Sequence, residues 1–148
     1  MIKTNESLSA KEVENANLKF YEAFENVSIL MMESIWSHND NCVCIHPGWE
    51  MFVGWMAIRE SWVTIFSNTE NIKFTITNSK TRIYQEVIAV ITCLENIEII
   101  QNKVKIQFGV VATNIFEYNK SQKEWLIIHH HGSPMSNYFP PPSTTIQT

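Results

Sequence analysis

Apolar residues recur at two different periods along this 148-residue chain. Between residues 13 and 35 the spacing is helical: Val13, Ala16, Phe20, Ala23, Phe24 and Val27, followed by Leu30, Met31 and Ile35. Ser9-Ala-Lys-Glu12 precedes this stripe as a capping box, which predicts a helix start at Ser9 and a flexible segment over residues 1–8. The polar run "SHNDN" at 37–41 closes a second helix, or the second half of a bent one. Trp55, Ile58, Trp62, Ile65 and Phe66 form another helical stripe, ended by "SNTEN" at 67–71. Between these helices, Pro47 and Gly48 separate two short extended pieces.

From residue 72 the period changes to two. "IKFTIT" turns Ile72, Phe74 and Ile76 to one side and Lys73, Thr75 and Thr77 to the other. Further strands are expected over 80–84, 87–100, 104–118 and 124–131, separated by polar segments suited to hairpins or a bend. Helices followed by an antiparallel meander define an α+β domain in which about three helices cover one face of a curved, mostly antiparallel sheet. No internal repeat or domain boundary is visible, so one domain is placed at 9–134. The proline-rich, polar segment 135–148 is expected to be extended or flexible.

Sorting the long strands by parity isolates two polar residues on apolar faces. The odd positions from 87 to 99 are Val87, Ala89, Ile91, Cys93, Glu95, Ile97 and Ile99; the even positions from 104 to 118 are apolar or aromatic except for Asn114. A two-residue turn at Asn102-Lys103 brings those two faces together. The same parity carried into "WLIIHHHGSP" turns Trp125, Ile127, His129 and His131 to that face, whereas a bulge substitutes His130.

Composition removes several function classes. Net charge is −4, and Lys and Arg are scattered, so nucleic-acid binding is not expected. No stretch is apolar enough to cross a bilayer and no secretory leader is visible, so a cytoplasmic protein without membrane attachment is expected. Three cysteines without a CxxC pair read as buried thiols. The glycine loops that cradle phosphates are missing, and no cofactor is expected. His129, His131 and Glu95 could together offer three ligands, but no zinc-type spacing supports a metal, and none is expected.

A carboxyl against apolar walls is harder to ionise and approaches the pKa needed for acid/base work near neutrality. Glu95 is therefore the candidate proton carrier. Asn114 is a candidate to hold a substrate oxygen, and His129 or His131 to orient or share the proton. His46, Trp36, Trp62 and His130 are candidate pocket residues. The alternative is structural: Glu95 pairs with Arg59, Arg82 or a histidine and seals the core.

The segments "VCIHPGWEMFVGWMAIRESWVTIF", "AVITCLENI", "VVATNIFEY" and "EWLIIHHHGSP", in that order, resemble the SnoaL-like branch of the nuclear transport factor 2-like superfamily, which includes ketosteroid isomerase. The resemblance implies a cone-shaped half-barrel with an apolar pocket at its open end and a homodimer through the outer sheet face. The aspartate, tyrosine and second acid of ketosteroid isomerase have no residue-by-residue counterpart here. Two functions follow as expectations. One is a pocket protein for a small apolar or aromatic molecule, working as a cofactor-free isomerase, dehydratase or cyclase. The other is a non-catalytic ligand-binding or homo-oligomeric association module.

Overall fold

The computed structural model describes residues 2–142, and of residues 2–8 the backbone alone. Helix α1 (Ile2–Glu25) begins at Ile2 rather than at Ser9. Residues 2–8 contain neither Gly nor Pro, so nothing stops the helix from propagating upstream, and Ser9 and Glu12 lie inside it instead of forming a capping box. The first quarter resolves into two helices. Val27 takes a left-handed φ of 44° and Ser28 accepts a hydrogen bond from Met31 N at 3.1 Å, capping α2 (Ile29–Ile35).

Strands β1 (Val43–Ile45) and β2 (Met51–Val53) flank the Pro47-Gly48 turn, and α3 (Trp55–Ser67) follows. Gly54 precedes α3 with φ 88°, a backbone setting that side-chain-bearing residues avoid. Four long strands complete the chain: β3 (Ile72–Tyr84), β4 (Ile88–Gln101), β5 (Val104–Asn119) and β6 (Glu124–Pro134). The expected break at Asn78-Ser79 is a bulge within β3, with Asn78 at φ 55°, so 72–77 and 80–84 belong to one strand.

The six strands form one open sheet in the order β2-β1-β6-β5-β4-β3, antiparallel except for the β1–β6 pair. Asn102 and Lys103 both have positive φ, as a two-residue primed turn requires, and they pair Gln101 with Val104. Odd residues of β4 therefore oppose even residues of β5, including Ile91 with Asn114 and Glu95 with Val110. The concave face carries Ala89, Ile91, Cys93, Ala112 and Phe116, packed with Val13, Phe20, Ile58 and Trp62 of the helices into the main core, while Val110 joins Ile72 and Ile97 in a smaller cluster. This is the expected α+β half-barrel.

The tail after β6 packs on the outer face. Tyr138 donates to Asn96 Oδ1 at 2.7 Å, and its ring lies so close to Gly109 that a Cβ there would collide with it. Residues 143–148 of the expected flexible tail lie outside the described residues. No helix among the described residues is long and apolar enough to cross a membrane.

Candidate functional site

A cavity of about 340 Å³ opens at one end of the molecule, between the C-terminal ends of α1 and α3 and the sheet. Phe24, Ile65, Ile72, Ile97, Ile99 and Phe108 supply its apolar walls, and His46, Pro47 and Trp49 close it from the β1–β2 turn. Glu95 and His130 also line it. Two larger grooves, of about 540 and 830 Å³, border neither Glu95 nor these histidines. The buried ionisable groups converge on the smaller, apolar cavity, which is the usual form of a small-molecule site.

Glu95 is 4% exposed on β4. Its Oε2 accepts a 2.6 Å hydrogen bond from the hydroxyl of Tyr21 on α1. Tyr21 Oη in turn accepts from Asn114 Nδ2 at 3.1 Å; that amide also donates to Asn17 Oδ1 at 2.8 Å. Asn114 Oδ1 faces His130 Nδ1 at 2.5 Å. A continuous chain, His130–Asn114–Tyr21–Glu95, thus runs behind the cavity wall across three strands and a helix.

Burial raises the Glu95 pKa from 4.5 to about 7, with the Tyr21 hydrogen bond opposing part of that rise. Burial also lowers His46 to about 4. His130 falls to about 3, through burial first and then the nearby His46, His129 and His131. Both inward imidazoles are neutral at physiological pH. Tyr21 is pushed well above its ordinary value by burial and then by the Glu95 charge, so it stays a donor.

Strand β6 decides which histidine faces inward. Phe116 pairs with Ile127 but Ile115 pairs with His129, leaving Ile128 as an extra residue. This bulge reverses the expected parity: His130 points to the concave face at 2% exposure, while His129 is half-buried and His131 exposed on the other side. His129 and His131 are therefore on the face opposite Glu95 and do not join it in a three-ligand set. Among the described residues no three His, Cys, Asp or Glu side chains group as a metal set.

Other expected residues take different places. Asn114 is 0% exposed and stands behind the wall, its amide occupied by Asn17 and Tyr21, so it positions other groups rather than meeting a ligand. Trp36 and Trp62 are core residues outside the cavity lining; Trp62 packs edge-on against His46 with ring centroids 4.6 Å apart. His46 does line the cavity. The ion pairs considered for Glu95 do not form, because Arg59 pairs with Glu33 and Arg82 donates to Thr92 Oγ1 at 2.9 Å. Tyr21 and Asn17 were missed from sequence. Their signal is the line Val13-Asn17-Tyr21-Phe24 at helical spacing, with two polar members beside the stripe already identified.

A helix-covered open sheet with an apolar cavity at one end defines the class of nuclear transport factor 2-like α+β proteins. Residues 13–137 match the family model described as a SnoaL-like domain, and the chain belongs to that family. A solved structure from Streptomyces avermitilis, described as a candidate dehydratase of the NTF2-like family, is 28% identical with a TM-score of 0.82, over 88% of this chain and 99% of that one. A Thiobacillus denitrificans structure described as a candidate calcium/calmodulin-dependent protein kinase type II association domain is 25% identical, with a TM-score of 0.73, over 83% and 94% of the two chains. The F-box protein SKIP8 of Arabidopsis thaliana is 24% identical over 127 residues, 86% of this chain and 51% of that protein. The chain thus spans about half the length of that curated relative.

Proposed function

We propose that the protein binds a small, largely apolar molecule in the Glu95 cavity and moves a proton on it without a cofactor, as an isomerase, dehydratase or cyclase does. The observation that carries this reading is a lone carboxyl in an apolar cavity, held by one tyrosine and brought by burial to a pKa of about 7. Near neutrality both protonation states are populated, so the same group accepts a proton from one position of the substrate and returns it to another. Tyr21 O–H steadies the ionised state, and Asn114 fixes Tyr21 and His130 relative to each other. His130 and His46, being neutral, contribute orientation rather than charge. The likeness to a candidate dehydratase supports this class of chemistry. In an assay of proton exchange or dehydration on uncharged, hydroxyl-bearing apolar and aromatic compounds, Glu95→Gln is expected to lower turnover by about two orders of magnitude or more while the chain remains folded. Retained turnover in a folded variant would remove Glu95 from the role.

A second reading, a homo-oligomeric association module, is supported by two observations: on the outer sheet face Val111, 43% exposed, pairs with the half-buried Leu94, with the half-buried pair Val90–Ile115 further along that face, and the candidate association-domain neighbour shares the fold. Sedimentation at micromolar concentration tests it. A dimer supports the association reading, and a monomer removes it.

A further inference from the structure

The donors and acceptors on the cavity floor follow from counting protons. Ser61 has one hydroxyl proton and gives it to Ile58 O at 2.6 Å. Its 2.9 Å contact with His46 Nε2 therefore takes the proton from the imidazole, leaving the lone pair of His46 on Nδ1. Asn114 directs its amide nitrogen at Asn17 and Tyr21, so its oxygen receives the proton of His130 Nδ1. The lone pair of His130 is then on Nε2. Glu95 Oε2 is occupied by Tyr21, and Oε1 has no hydrogen-bond partner among the described residues.

Two lone-pair atoms with no donor among the described residues, Glu95 Oε1 and His130 Nε2, thus belong to residues lining one cavity; His46 Nδ1, with only the weak Cys44 thiol 3.9 Å away, is a third acceptor beside them. Once Glu95 is ionised, none of them supplies a proton. Among the described residues no Lys or Arg lines the cavity, and the donor side chains that do, Trp49, Asn68, Thr64 and Thr69, are exposed or half-buried on its rim. Thr64 and Thr69 already give their protons to Glu60 O and Ile65 O. The cavity therefore lacks what an anion or a bare carbonyl requires at its deepest point, and offers what a hydroxyl or N–H requires.

We infer that this cavity selects an uncharged, mainly apolar molecule that leads with a hydroxyl or N–H group toward Glu95 and the two imidazoles, and rejects carboxylates and phosphates. This rests on the reading of the cavity as the binding site. A carboxylate driven to the floor would face the Glu95 charge with no cation to offset it. An ether of the same shape would leave the floor acceptors without a partner.

Calorimetric titration of the full chain near pH 8 with 2-naphthol, 2-methoxynaphthalene and 2-naphthoate separates these cases. The expected order is 2-naphthol tightest, the ether on the order of tenfold weaker, and the naphthoate weakest. Glu95→Gln is expected to shrink the naphthol-to-ether ratio severalfold. Equal binding of all three, a preference for the ether or the naphthoate, or an unchanged ratio in the variant would overturn the inferred selectivity while leaving a binding cavity in place. Absence of binding by all three would instead overturn the binding-site reading, and the inference with it.

Discussion

Tyr21 holds Glu95 in place and limits how far burial can raise its pKa. Replacing it with Phe removes the donor to Glu95 Oε2 and the acceptor for Asn114 Nδ2 in one step. Tyr21→Phe is expected to move the Glu95 titration midpoint upward from the wild-type value, because the ionised form loses its one hydrogen bond. The unpaired buried groups are expected to cost about 1–3 kcal/mol of stability in urea unfolding. A midpoint that falls, or does not move, would mean that Tyr21 has no influence on the carboxyl. At this scale the sequence was informative where one polar residue interrupts a clean alternation, as Glu95 and Asn114 do. It was silent on Tyr21, because an aromatic on an amphipathic helix reads as core whether or not its hydroxyl has a partner.

At the scale of elements, the legible features were those set by local geometry. The Asn102-Lys103 turn fixes the β4–β5 register through backbone twist alone, and with it the shared face of Glu95 and Asn114. The β6 bulge is different. Ile127 and Ile128 are equally apolar, so nothing in their sequence marks which of them is extra; it shows only in the ladder, where Phe116 is opposite Ile127 and Tyr118 packs on Trp125. That register exchanges His129 and His131 for His130 in the cavity. The start of α1 and the docking of Tyr138 were hidden for a related reason. The first depends on the absence of breakers upstream of a plausible cap, and the second on a bare patch at Gly109, distant in sequence, that admits an aromatic ring.

For the whole molecule, opposing titrations shape stability. Glu95 keeps its proton in the folded state up to about pH 7, while an ordinary carboxyl releases it near 4.5. Its contribution is therefore complete below 4.5 and lost as pH rises to about 7, a change on the order of 3 kcal/mol. His46 and His130 act in the other direction. The unfolded chain protonates them near 6.5, but the fold resists until about 4 and about 3, so their contribution is present above 6.5 and lost as pH falls. Tyr21, Cys44 and Cys93, which feel the Glu95 charge, are pushed up by burial and keep their protons throughout this window. Urea unfolding of wild type and Glu95→Gln isolates the carboxyl. Relative to wild type, the variant is expected to gain stability as pH rises from 4.5 to 7, and a difference that is flat across this range would show that Glu95 does not titrate abnormally.

The central claim is that the cavity holds a carboxyl poised near neutrality. Its most direct test is a carbon-13 NMR titration of the glutamate side-chain carboxyls, with the Glu95 signal assigned by its disappearance in Glu95→Gln. The account predicts a midpoint of about 7, raised by burial and moderated by Tyr21. A midpoint near 4.5 would place Glu95 in contact with water as an ordinary carboxylate, and would contradict both the buried site and the proton-transfer function proposed for it.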